Sequence, residues 1–383
     1  MNALLAPKPT AVSPPAPPLS PDIARVLLCD DSAVIRSAIG RMLDSDPAVR
    51  VMARVANGQQ ALEAVKRERF DVAVLDIEMP VMDGMTALPL LLRADPGLRV
   101  VMASTLTTRG ADIALQALRL GAADYVPKPS VAAIADDSFR RELLAKVKGL
   151  ARLRRRESGP AAPVRTPVTA NRPAGREPPL LLAIGSSTGG PQALFTLIQA
   201  LGAAVPVPVI ITQHMPATFT PILAEHLTRL GALPCAEARD GEPLQPGRIY
   251  LAPGDRHMLV EGKPGALRLR VTTDPPENFC RPAVDPMLRS AAAACGGRVL
   301  VVMLTGMGHD GRDGTRVVID AGGAALAQDE ATSVVWGMPG AIALAGLCHR
   351  VLPLSALAPC ALDLLRHATI RSLALGIGGG ARA

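Results

Sequence analysis

Apolar and polar positions alternate along the chain in two long series. From Arg25, "RVLLCDD" is followed by "SAVIRSAIGRMLDSD", "VRVMARVANG" by "QQALEAVKRER", and "DVAVLDIEMP" by an amphipathic stretch beginning near Gly84. "RVVMAST" then precedes "GADIALQALRLG", and "ADYVPKP" leads into a last amphipathic stretch ending near Gly149. Short aliphatic runs read as buried strands, and the amphipathic stretches between them as helices. Five such alternations predict a parallel sheet with helices on both faces, with its site beyond the C-terminal strand ends. A second series opens with "PLLLAIG" and the helix-like "PQALFTLIQAL", and adds strands in "VPVPVIITQHMP" and "GGRVLVVMLTGMGHDGRDG".

Composition changes this picture mainly at its joints. A chain of 383 residues suggests two or three domains. Aromatic residues make up only 2%, so the cores must rest on Ala, Val, Leu and Ile. The net charge of +7 resembles a nucleic-acid signal until it is located. Seven arginines fall between Arg152 and Arg176, among prolines and glycines, as in a flexible linker. The expected divisions are a Pro-rich disordered tail (1–22), a first domain (23–150), a linker (151–178), a second domain (179–370) and a Gly-rich tail (371–383). No apolar stretch reaches the roughly 18 residues that span a bilayer, and a cytoplasmic protein is expected. The six cysteines lack metal-ligand spacing and are expected to be buried reduced thiols.

Candidate chemistry gathers at strand ends. In the first series Asp30 and Asp31 follow the first strand, Asp76 ends the third, Ser104 the fourth, and Lys128 follows the fifth. Three carboxylates on one edge repel one another unless a hard cation such as Mg²⁺ sits among them. A nearby lysine could neutralise a transferred phosphoryl group. "DDS", "LDIEMPVMDGM", Ser104 and "KP", in that order, resemble the receiver domain of bacterial two-component response regulators. The resemblance implies a flavodoxin-like five-stranded parallel fold, with Asp76 as phosphate acceptor and Asp30, Asp31 and Asp76 around Mg²⁺. Ser104 and Tyr125 would be its switch pair, and Lys128 its phosphate-contacting lysine.

In the second series "LAIGSSTGGPQAL" reads as strand, tight turn and helix. It lacks the GK[ST] of a phosphate-binding Walker loop and the G-x-G-x-x-G of a dinucleotide site. It does match G-x-S-x-G with Ser187 at the centre, a turn that exposes a hydroxyl above a helix N-terminus. His214 and Asp310 also lie just past strand ends, so nucleophile, base and orienting acid converge on one edge of a doubly wound parallel sheet. His309 is a rival base, expected to point away if Asp310 points inward.

"IGSSTGGPQAL", "ITQHMPATFT", "IYLAPGDRHM", "RPAVDPML" and "MLTGMGHDG" resemble the catalytic domain of the chemotaxis protein-glutamate methylesterase family. The resemblance implies Ser187 as nucleophile, His214 as base, Asp310 as its partner and the Met307 backbone as oxyanion contact. The implied substrates are methylated glutamates on chemoreceptor helices, with methanol released and glutamines deamidated by some members. A histidine kinase would supply the phosphoryl group, and the unphosphorylated receiver would obstruct the esterase cleft. Ester hydrolysis needs no cofactor, and neither nucleic acid nor membrane insertion is implied. Phe279 and Cys280 stand where the family often has arginine and histidine, which points to a different receptor if that loop meets substrate. The alternatives are a DNA-binding output domain, which would need a basic helix-turn-helix, and a catalytically inactive interaction module.

Overall fold

The computed structural model describes residues 23–104, 107–128, 137–158, 172, 177–231 and 233–376. The expected tail 1–22, most of the expected linker and residues 377–383 lie outside them. The first unit has strands β1 (Ala24–Cys29), β2 (Val49–Val55), β3 (Val72–Asp76), β4 (Arg99–Ser104) and β5 (Asp124–Pro127). Its helices are α1 (Ala33–Asp44), α2 (Gly58–Arg67), α3 (Gly84–Ala94), α4 (Thr108–Arg119) and α5 (Asp137–Ser158). The sheet is parallel throughout, in the order β2-β1-β3-β4-β5. Alternation along each strand divides the burial. Val26 and Leu28 pack with α1 and α5, while Leu27 and Cys29 pack with α2, α3 and α4. Each fully buried aliphatic side chain contributes about 1.5–3 kcal/mol. Ser32, Asn57, Asp83 and Thr107 cap the first four helices, each accepting an N–H from three residues on.

The second unit has β6 (Leu181–Ser186), β7 (Val209–Gln213), β8 (Cys235–Glu237), β9 (Ile249–Leu251), β10 (His257–Lys263), β11 (Ala266–Thr272), β12 (Val299–Met303), β13 (Ala324–Gln328) and β14 (Arg350–Leu352). Its helices are α6 (Gly190–Leu201), α7 (Thr220–Leu230), α8 (Val284–Cys295), α9 (Arg312–Asp320), α10 (Met338–Leu344) and α11 (Leu354–Gly376). Seven strands form a parallel sheet in the order β14-β13-β12-β6-β7-β9-β8, and β10 and β11 pair separately as an antiparallel hairpin. Leu182 and Ile184 pack with α6, α7 and α11; Leu181 and Ala183 pack with α8, α9 and α10. The sheet is therefore covered on both faces, as expected, and it is not the helix-turn-helix of the DNA-binding alternative.

Two boundaries differ from expectation. Helix α5 does not end near Gly149 but runs to Ser158, taking in the first arginines of the expected linker. No proline or glycine breaks the chain between Leu150 and Ser158, and Arg154 is buried, donating to the Phe70 carbonyl and, at 2.7 Å, to Asp95. At the other end α11 reaches Gly376, into the expected Gly-rich tail. Among the described residues no helix is long and apolar enough to cross a membrane.

The two units touch. Tyr125 of β5 stacks on Phe219 with ring centroids 4.6 Å apart and planes 18° from parallel. The Gln192 amide of α6 donates to the Leu118 and Ala122 carbonyls. Arg152 of α5 pairs with Glu330 at 3.1 Å and donates to the Ser333 carbonyl.

Candidate functional site

Two sites stand at C-terminal strand edges, one in each unit. In the first, Asp30, Asp31 and Asp76 bring one carboxylate oxygen each within 4.8 Å of the others. Gly84 permits the loop after Asp76 to close, because a Cβ there would collide with the Asp76 carbonyl. The Lys128 ammonium lies 2.6 Å from Asp76 Oδ2 and 3.3 Å from Asp30 Oδ2. Lys128 is thus ion-paired with both acids, and three converging carboxylates, all oxygen donors, fit a divalent cation of the Mg²⁺ type. Burial pushes the Asp76 carboxyl up to about 6, although Lys128 opposes the rise. Ser104 donates its hydroxyl to the Gly110 carbonyl at 2.8 Å, and Tyr125 is buried under Phe219.

In the second site Ser187 occupies the turn between β6 and α6. Gly189 takes the left-handed conformation at φ 74°, and a Cβ on Gly190 would collide with Gln213 Oε1. The Ser187 N–H donates to the Thr305 carbonyl at 3.0 Å, tying the turn to the end of β12. Ser186 is wholly buried and donates to Gln213 Oε1 at 2.7 Å. Ser187 is partly exposed, and its hydroxyl makes no hydrogen bond among the described residues. Of the two serines, only Ser187 presents a free hydroxyl to the cleft.

His214 follows β7, and its Nε2 lies 2.7 Å from Asp310 Oδ2. Asp310 is buried and satisfied: Val284 N–H reaches Oδ2 at 2.6 Å, while Asp285 N–H and Asn278 Nδ2 reach Oδ1 at 3.1 and 2.9 Å. Burial alone would raise the Asp310 carboxyl, but the imidazole and the two amides hold it below its ordinary value. Burial likewise opposes protonation of His214, yet contacts with Asp310 and Cys280 raise it well above the usual imidazole range. The other ring nitrogen, Nδ1, faces Cys280 Sγ at 3.4 Å.

Ser187, His214, Asp310 and Met307 line one cleft of about 540 Å³. His309 lines it too, exposed at the rim, so it does not point away as expected. The Met307 N–H donates to no group among the described residues. Asp124, Tyr125, Arg141, Glu142 and Lys146 of the first unit form the rest of the wall. The first unit therefore stands over the mouth of the second unit's cleft. Cys280 also departs from expectation: it is a half-buried thiol on this cleft rather than core packing.

Comparison with known proteins follows the same division. Residues 182–360 match the family model for CheB methylesterase, and residues 26–136 that for the response regulator receiver domain. A protein-glutamate methylesterase/protein-glutamine glutaminase of Rhodospirillum centenum is 54% identical over 370 residues, 88% of this chain and 93% of that protein. One from Paramagnetospirillum magneticum is 52% identical over 378 residues, covering 92% of this chain and 99% of that protein. The chain belongs to the CheB methylesterase family and carries a receiver domain. The Thermotoga maritima CheB methylesterase catalytic domain, a solved structure, is 38% identical with a TM-score of 0.47, covering 49% of this chain and 98% of that one.

Several residues of this methylesterase site escape a reading of the sequence. Gln213 is buried, accepts from Ser186, and donates to the Ser187 carbonyl at 2.9 Å and the His214 carbonyl at 3.0 Å. It fixes the backbone of both Ser187 and His214, and its position beside His214 is the only hint in the sequence. Asp285, within the quoted "RPAVDPML", accepts from Gly314 N–H at 2.6 Å and Asn278 at 2.9 Å, and burial raises its carboxyl. Asn278 bridges the two acids. Nothing in its local sequence marks that role.

Proposed function

We propose that this chain is a phosphorylation-gated protein-glutamate methylesterase, with residues 23–150 as its regulatory unit and residues 179–370 as its catalytic unit. The observation that carries the catalytic assignment is the 2.7 Å contact between His214 Nε2 and Asp310 Oδ2 beside the unpaired Ser187 hydroxyl. With Nε2 committed to Asp310, Nδ1 is the nitrogen left to accept a proton. Ser187 Oγ attacks the ester carbonyl carbon, and its proton passes to His214 Nδ1. The carbonyl oxygen becomes an oxyanion, for which the Met307 N–H is the donor. Collapse breaks the bond to the methoxy group, which leaves as methanol with the proton from His214. Water, activated by the same imidazole, then releases the glutamate carboxylate and restores Ser187. A glutamine side chain would follow the same course with ammonia as leaving group.

Gating belongs to the receiver. Asp76 accepts a phosphoryl group from a histidine kinase; Asp30, Asp31 and Asp76 would hold Mg²⁺, which would offset negative charge at that site. Lys128, Ser104 and Tyr125 answer the new charge. In the state described, Nδ1 faces Cys280 rather than Ser187 and the receiver walls the cleft, which supports reading it as the resting form. The proposed substrates are methylated glutamates on cytoplasmic chemoreceptor helices, met in the cytoplasm. Incubating the full chain with receptor fragments bearing labelled methyl esters tests the reaction. Release of labelled methanol, abolished by Ser187→Ala, is expected; release that survives the substitution would refute the assignment.

A further inference from the structure

Residues Glu277–Cys280 form a tight hairpin. The Cys280 N–H donates to the Glu277 carbonyl at 2.8 Å, and the Glu277 N–H donates back at 3.1 Å. Both central residues are left-handed, Asn278 at φ 52° and Phe279 at φ 63°. That is the pattern of a type I′ turn, where asparagine and glycine are at home and a bulky ring is not. Phe279 gains no burial in return: it is 104% exposed. A single apolar side chain on a surface is ordinary. This one is held by strained backbone on the rim of the catalytic cleft, together with Met307, a second exposed apolar side chain lining it.

The residues on either side of Phe279 reach the reacting groups. Asn278 Nδ2 donates to Asp310 Oδ1 and to Asp285 Oδ2, each at 2.9 Å, and Cys280 Sγ lies 3.4 Å from His214 Nδ1. The tip is thus fixed relative to the triad through its neighbour on either side. A glutamate ester must enter the cleft to meet Ser187, so a group on the rim meets what flanks it. We propose that Phe279 is a specificity-determining residue that contacts apolar side chains flanking the esterified glutamate of a polypeptide substrate, with Asn278 as the positioning residue that locks this contact to Asp310. The proposal rests on the ester hydrolysis described above.

The test uses the full chain activated with acetyl phosphate and Mg²⁺, and three esters. Two are helical peptides of equal length carrying a glutamate γ-methyl ester, one flanked by leucine and alanine and the other by serine and asparagine. The third is a blocked glutamate γ-methyl ester with no flanking residues. The wild-type enzyme is expected to favour the apolar-flanked peptide over the polar one by about tenfold in kcat/KM. Phe279→Asn, which suits left-handed backbone, should bring that ratio close to one through KM, while Phe279→Leu keeps most of it. A ratio unchanged in Phe279→Asn, or absent in the wild type, overturns the proposal. So does an equal loss on all three esters, which would make Phe279 a support for the triad. A wild-type enzyme inert toward every ester contradicts the esterase reading itself, and the proposal falls with it.

Discussion

Asp124 of the receiver accepts a hydrogen bond from the backbone N–H of Gly189, 3.0 Å away in the turn that carries Ser187. The carboxylate thereby sits at the N-terminus of α6, where the helix favours negative charge. Lys146 lies 3.5 Å from the same carboxylate and 2.8 Å from Glu142. Tyr125, the next residue, stacks on Phe219. Two contacts between the units, Asp124 to Gly189 and Tyr125 to Phe219, therefore start from neighbouring residues on β5.

Replacing Asp124 by asparagine should loosen this closed state. The substitution removes the charge at α6 but leaves Lys146 paired with Glu142, so the fold should survive. Basal hydrolysis by the unphosphorylated chain should rise several-fold, and stimulation by phosphodonor should shrink accordingly. A stimulation ratio equal to that of the wild type would show that the contact does not hold the domains closed.

The pH dependence of hydrolysis follows from His214. Asp310 and Cys280 outweigh burial and raise its protonation range, so the neutral base is depleted as pH falls. The acidic limb of kcat/KM should therefore lie above the ordinary imidazole value of about 6.5. Asp310→Asn removes the main source of the shift, so the limb should move down. The rate at its optimum should fall by about 10⁴, as in other triads losing this acid. A limb that stays in place in the variant would separate Asp310 from the base.

Ser187 and Ser186 should part company on substitution. Ser187→Ala is expected to lower ester hydrolysis by about 10⁴ to 10⁶. Ser186→Ala leaves Gln213 Oε1 without its donor, which costs about 1–3 kcal/mol of stability, but should change the rate less than tenfold. Paired measurements of rate and thermal midpoint distinguish the two, and parallel losses of rate would contradict the choice of nucleophile.

Asp76 should titrate at about 6 in the absence of Mg²⁺, because burial raises it more than Lys128 lowers it. Acetyl phosphate labelling needs both the ionised carboxylate and Mg²⁺, and should be lost when the cation is removed. Saturating Mg²⁺ should move the midpoint lower by favouring the anion. Carboxyl ¹³C NMR reads both midpoints, and Asp76→Asn should remove the labelling.

Much of this architecture was legible because strands buried on both faces read as aliphatic runs, and because Ser187, His214 and Asp76 stand at strand ends, with Asp310 in the loop after β12. The β10–β11 hairpin is likewise readable, from the alternation in "HMLVEGKPGALRLRVT" around a Pro-Gly turn. Helix α5 runs past the boundary that its arginine-rich composition suggests, because Arg152 and Arg154 are consumed by contacts with Glu330, Asp95 and the Phe70 carbonyl. Gln213, Asn278 and Asp285 could not be found locally. Their roles arise from hydrogen bonds between segments far apart in sequence, and no periodicity records these.

The central claim is that phosphorylation of Asp76 releases Ser187 chemistry. The initial rate of methanol release by the full-length chain, with and without acetyl phosphate and Mg²⁺, tests it most directly. The account predicts stimulation of about tenfold or more in the wild type, none in Asp76→Asn, and no release in Ser187→Ala under either condition. A wild-type rate indifferent to the phosphodonor, with Asp76 demonstrably labelled, would contradict it.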